Sequence, residues 1–141
     1  MGKWKSEDQP VLWVPTKDLP TPPGHPFYEQ LNAILRTHGF DAFAEGLCQK
    51  VYAPVMGRPS LVPGVYFRLL LVGYFEGLDS ERGIAWRVAD SMVLRSFLGY
   101  VLTEGTPDHS TVSRTRRLLD LETHQEVFTW ILAVLAKEGL L

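Results

Sequence analysis

Between Val65 and Leu78 the sequence carries two charges, Arg68 and Glu76, eight residues apart. A helix starting near Pro63 and running through this stretch is apolar on nearly every side. Such a helix belongs at the centre of a fold, because a surface helix keeps a polar face. It needs neighbours on several sides, so the rest of the chain must wrap around it. Gly73 and Gly77 are placed to let neighbouring helices approach closely. The longest apolar run, Val65 to Phe75, contains Arg68 and falls short of the ~20 residues that span a bilayer.

The chain has 141 residues, the size of one ordinary domain. A chain of this length buries roughly two-thirds of its unfolded surface and needs no metal or disulfide staple. With 45% hydrophobic and 21% charged residues, it has the make-up of a globular protein. The single cysteine, Cys48, excludes an internal disulfide framework and fits a reducing cytosol. A net charge of -2 argues against a uniformly basic nucleic-acid coat but leaves room for a local basic patch. The N-terminus has no apolar export region, and Gly2 with Ser6 matches only the short myristoylation pattern. A cytoplasmic protein with no membrane partner is expected.

Proline and glycine punctuate the rest. Six of the ten prolines lie between Pro10 and Pro26, where neither regular helix nor central strand can form. Residues 1–25 therefore read as an extended Pro-rich arm, with Trp4, Leu12 and Trp13 as its anchors. Residues 26–141 read as a helical domain. A helix from Pro26 to Gly39 turns Phe27, Leu31, Ile34 and Leu35 inward. A second begins near Asp41 with Phe43, Leu47 and Val51 inward, and a loop follows at 53–59. After the central helix, Asp79 or Ser80 caps a helix that turns Ile84, Val88 and Trp86 inward. Ser91 caps a short helix stopped by Gly99. Asp108 or Ser110 caps a helix through Leu119, and a last helix runs from about Glu122 to Lys137. No strand pair and no repeat is signalled, so the expected fold is all-α, a compact multi-helix domain.

The chemistry concentrates between Ser110 and Leu119, a segment with three arginines and no acid. At ~100° per residue, Val112, Thr115, Leu118 and Leu119 share one side. Ser110, Ser113, Arg114 and Arg117 share the other, and Arg116 flanks the core edge. Hydroxyls and guanidinium groups bind phosphate oxygens, and arginine also reads guanine edges. The helix N-terminus adds amide donors for a phosphate. Ser110, Thr111, Ser113, Arg114, Arg116 and Arg117 are thus the candidate DNA-binding residues. Arg58, in a Gly57-Arg58-Pro59 turn with no acid near it in sequence, joins them. A scaffold helix, a turn and a polar-basic helix is helix-turn-helix order, here with a linker longer than the tight motif has. A solvated basic helix end would look the same in sequence.

Several segments also carry a family resemblance. They are Gly24-His25-Pro26-Phe27-Tyr28, Gly57-Arg58-Pro59-Ser60, Pro63-Gly64-Val65-Tyr66-Phe67-Arg68 and Gly73-Tyr74-Phe75-Glu76-Gly77. Asp79 to Arg87, Phe97-Leu98-Gly99 and Pro107 to Arg114 complete the set. In this order they resemble the N-terminal region of bacterial insertion-sequence transposases of the DDE class, the InsH-like group. The resemblance extends over nearly the whole chain from about Trp13. It implies a domain that binds transposon-end DNA, at the terminal inverted repeats, and helps assemble the transposase. It also implies a following catalytic domain, similar to ribonuclease H, with three carboxylates and divalent metal. No position here matches those carboxylates, and the chain stops at Leu141, before the strand that would bear the first. The expectation is a truncated chain without enzyme activity or cofactor of its own. Its expected partners are double-stranded DNA and a second copy or full-length transposase.

Other classes fit less well. His25, His38, Cys48, Asp108, His109 and His124 show no zinc-type spacing, and no G-x-S-x-G elbow is present. A protein-interaction or dimerisation module without DNA binding, or an inactive remnant, is the alternative. The last helix favours it: Val127, Phe128, Trp130, Ile131, Leu132, Val134 and Leu135 cover most of its circumference.

Overall fold

A computed structural model describes residues 26–52, 61–101 and 104–141. Among them are seven α-helices and no strand: α1 (Pro26–Thr37), α2 (Phe40–Tyr52), α3 (Pro63–Glu76), α4 (Glu81–Ala89), α5 (Met92–Leu98), α6 (His109–Leu118) and α7 (Leu121–Lys137). The all-α expectation holds. The proposed arm at 1–25, its anchors, the loop at 53–59 and Arg58 lie outside the described residues.

Helix α3 is the central helix. Pro63, Gly64 and every residue from Tyr66 to Gly73 are buried. Helices α2, α4 and α5 pack on it. Helix α7 reaches it through rings, Tyr66 and Phe67 against His124, and Phe67 against Phe128. Helix α1 closes the other side, packing on α2, α5 and α7. The helix ends follow from side-chain chemistry. Ser80, Ser91, Asp108 and Asp120 cap α4, α5, α6 and α7 by accepting a hydrogen bond from an amide three residues on, which satisfies an otherwise orphaned donor. The last cap starts α7 at Leu121, one residue before the position expected from sequence.

Two expectations are corrected. Trp86 does not pack inward: it is 64% exposed, while Ile84, Ala85 and Val88 carry the buried face of α4. Gly77 does not serve close approach. It is a left-handed helix stop with φ 70°, and open space surrounds the position where a Cβ would stand. Gly73 is the close-approach residue. A Cβ there would lie 2.7 Å from Ile84 Cδ1 and 3.1 Å from the Leu78 carbonyl oxygen, so α3 and α4 meet where no side chain fits.

The two charges of α3 are both used. Arg68 is 5% exposed. Its Nε donates to Asn32 Oδ1 at 3.0 Å, and Nη1 and Nη2 donate to the two Asp41 carboxylate oxygens at 2.8 and 3.2 Å. Nη1 also reaches the Gly64 carbonyl at 3.2 Å, and the guanidinium lies over the rings of Phe40 and Phe97. Glu76 receives the Tyr28 hydroxyl at 2.8 Å and Arg87 Nε at 2.6 Å. Burial first, and then Glu76, hold the Tyr28 phenol well above its ordinary pKa. The apolar surface of α7 is largely covered: Val127, Ile131 and Leu135 are buried, and Phe128, Trp130, Leu132 and Val134 half-buried.

The Arg68 site generates a double-mutant test. A Cβ on Gly64 would stand 2.0 Å from Asp41 Oδ1, so Gly64→Ala must expel the carboxylate. Asp41→Ala removes it instead and leaves Arg68 buried without its counter-charge. Because the Asp41 side chain is 51% exposed, the cost should be about 1–3 kcal/mol, less than for a fully buried pair. Urea denaturation should show Gly64→Ala destabilising as well. Adding Asp41→Ala to it should cost clearly less than the sum of the two single changes.

Candidate nucleic-acid interface

The α6 helix is set by its cap and its inner seam. Asp108 Oδ1 accepts the Thr111 amide and the Thr111 hydroxyl, both at 2.9 Å. These bonds hold the Asp108 carboxyl below its ordinary pKa. Asp108, not Ser110, is therefore the cap. The Thr111 amide, counted in the sequence as a donor for phosphate, already has a carboxylate partner. Val112 and Thr115 are buried, and Thr115 Oγ1 donates to the Thr111 carbonyl at 3.0 Å. Leu119 is buried just past the helix.

The other face divides into two rows. Ser113 Oγ donates to Glu81 Oε1 at 2.8 Å, and Arg116 Nη1 donates to Glu81 Oε2 at 2.8 Å. One carboxylate at the start of α4 thus straps this row of α6 to α4, and the two helices pack directly. Ser110, Arg114 and Arg117 form the second row, exposed to solvent. Arg114 Nη2 donates to Thr111 Oγ1 at 3.2 Å. Among the described residues neither Arg114 nor Arg117 forms an ion pair, whereas Arg68, Arg87 and Arg116 each do. Of the candidate residues, α6 therefore brings Ser110, Arg114 and Arg117 together in the open. Thr111 belongs to the cap, and Ser113 and Arg116 are tied to α4.

Other arginines near this helix have different surroundings. Arg87 is held by Glu76. Arg95 donates to the Ala89 and Glu104 carbonyls, tying α5 to the segment before α6. Arg82 Nη2 lies 3.3 Å from His109 Nε2, and its guanidinium stands 5.9 Å from the centre of the Trp86 ring. In sequence Glu81, like Glu76 and Asp90, reads as a partner for Arg82, Arg87 or Arg95. Its link to α6 is what sequence reasoning missed, because those partners are 32 and 35 positions away and no local pattern announces them.

Behind α6, Tyr66 and His124 form a second polar link. His124 Nδ1 lies 2.8 Å from the Asp120 carbonyl, which only accepts, and Nε2 lies 2.7 Å from the Tyr66 oxygen. In the neutral ring Nδ1 therefore carries the proton and the Tyr66 hydroxyl donates to Nε2. Burial raises the Tyr66 pKa, and Arg116 opposes that rise. Among the described residues no group of three His, Cys, Asp or Glu side chains converges. Cys48 is fully buried, which pushes its thiol up to about 11 and leaves it protonated at neutral pH. An open groove of about 540 Å³ runs beside Glu81 and Arg116, with Leu70, Ile84, Phe128 and the exposed Tyr74 and Leu121 among its lining residues.

A family model described as a transposase domain (DUF772) matches residues 16–118. The chain belongs to this transposase domain family. The match takes in α1 to α6, including the whole exposed row of α6, and stops before α7. No curated protein and no solved structure matches the chain.

Both aspartate caps predict how this transposase domain meets acid. Each carboxyl is held below its ordinary pKa by bonds made only in the folded state. Their contribution is therefore complete above the unfolded carboxylate pKa and is lost as pH falls through the depressed folded value. The Asp108→Asn/Asp120→Asn variant should keep the caps and flatten the acid limb of stability, measured as melting temperature against pH.

Proposed function

We propose that this transposase domain binds transposon-end DNA through the exposed row of α6 and takes part in assembling the transposase during transposition. The observation that carries the reading is the state of Arg114 and Arg117. They are exposed on a capped, well-seated helix and form no ion pair among the described residues, while Arg68, Arg87 and Arg116 each do. Arginines with that freedom bind phosphate oxygens and guanine edges. In this reading α4 is the scaffold and α6 the reading helix of a helix-turn-helix-like unit with α5 in the intervening linker. Ser110 joins Arg114 and Arg117 at the DNA. Ser113 and Arg116 set the tilt of the helix, and Thr111 stabilises its start. Arg58, among the proposed contacts, lies outside the described residues.

The same proposal extends to the chain's wider setting. The relatives are insertion-sequence transposases of the DDE class, the InsH-like group. Residues 26–141 are the DNA-binding and assembly domain in this reading. Cutting and joining belong to a catalytic domain with three carboxylates and divalent metal, none of which this sequence matches. The chain itself takes no cofactor and acts in the cytoplasm, on the bacterial nucleoid. Among the described residues no helix is long and apolar enough to cross a membrane.

A second reading, a protein-interaction module, is favoured by Leu121 and Tyr74, which stand 72% and 58% exposed beside the apolar groove. It makes Arg114 and Arg117 dispensable. Binding to a duplex carrying the terminal inverted repeat of the parent element, followed across a salt series, separates the two. The DNA reading predicts selective binding whose logarithm falls linearly with log salt, by about 0.9 per neutralised phosphate. Arg114→Ala/Arg117→Ala should abolish the selectivity, at roughly 1–3 kcal/mol for each arginine that reads a base. Equal affinity for the repeat and for scrambled DNA would sink it.

A further inference from the structure

Trp86 has no explanation in the fold. It is 64% exposed on a helix that buries Ile84, Ala85 and Val88. Arg82 stands one turn earlier on the same open face, over the indole ring, and forms no ion pair among the described residues. Its Nη2 meets His109, the first residue of α6. The open face of α4 therefore continues into the start of α6, and the strap from Glu81 to Ser113 and Arg116 fixes the two helices to each other. Two nearby acids are engaged, while Asp79 and Asp90 stand exposed at the two ends of α4. Glu81 is bound to Arg116, and the Asp108 carboxylate is bound to Thr111. Beyond the N–H that meets His109, the Arg82 guanidinium keeps further donors, and the indole N–H of Trp86 also only donates.

We propose that Arg82 and Trp86 form a second contact surface, which grips the phosphate backbone of the DNA beside the groove that α6 enters. This rests on the DNA-binding reading of α6 and adds to it a contact that carries no sequence information. The partner is a polyanion because the exposed Arg82 continues the exposed arginine row of α6, and a phosphate oxygen accepts from both guanidinium and indole N–H. Such a contact sets the register of α6 on the duplex and strengthens binding to every sequence alike.

The test uses the full chain and a labelled mixed-sequence duplex of about 25 base pairs, in fluorescence anisotropy across a salt series, with Arg82→Gln/Trp86→Ala. The double variant should bind about three- to tenfold more weakly, and the slope of log affinity against log salt should fall by about 1. Affinity for an end-repeat duplex should drop by the same factor, so selectivity stays. Arg36→Ala removes an exposed arginine, outside any ion pair among the described residues, from α1, a helix that packs on α2, α5 and α7, and should bind as the parent does. Thermal melting checks that the variants fold. An unchanged affinity and salt slope in Arg82→Gln/Trp86→Ala would overturn the proposal while leaving α6 its role, provided Arg114→Ala/Arg117→Ala still weakens binding. If the variant changed only sedimentation, with DNA affinity intact, the surface would be a protein contact and the proposal wrong. No binding by the parent chain to either duplex would overturn both readings together.

Discussion

The structure turns on one buried guanidinium. Arg68 sits at the centre of the most apolar helix and reaches three separate elements: Asn32 of α1, Asp41 of α2 and, through its ring contacts, Phe97 of α5. A leucine in its place would fill space without making directional bonds. The planar fork accepts only the arrangement in which its donors find oxygens. Buried ion pairs add little net stability. What this one adds is a fixed rotation of α3, and hence a fixed position for the helices on its other sides.

From α3 the order passes outward in two steps. Glu76, at the far end of the same helix, binds Tyr28 and Arg87 and so fixes α4 relative to α1. Glu81, at the start of α4, then holds Ser113 and Arg116 of α6. Each step uses a carboxylate shared between two partners on other helices. The outer row of α6 is aimed by this chain of links, so the side chains that face solvent there are a consequence of charges consumed further in.

The sequence made the elements legible and left their pairings hidden. The central helix, the serine and aspartate caps and the stop at Gly99 follow from local rules, because capping and periodicity act within a few residues. The side of α6 that holds Val112 and Thr115 was readable for the same reason. Helical spacing alone could not separate Arg116 from Arg114 and Arg117, since that distinction depends on Glu81, 35 positions away in the chain. Trp86 misled because its size suggests a core residue, yet α4 is short and Ile84, Ala85 and Val88 already fill its inner face. The glycine of closest approach likewise emerged only in three dimensions: Gly73 and Gly77 look alike in sequence, and Ile84 decides between them.

The Asp108 cap also fixes a direction of approach. Its carboxylate is seated at the amide end of α6, where the helix dipole would otherwise welcome an anion. An incoming phosphate meets a like charge there and is turned away from the axis. The proposed DNA contact is therefore side-on, along the flank where Arg114 and Arg117 rise by roughly 4.5 Å over three residues. The end-on mode, in which a helix points its first turn at a single phosphate, is closed to this helix by its own capping side chain.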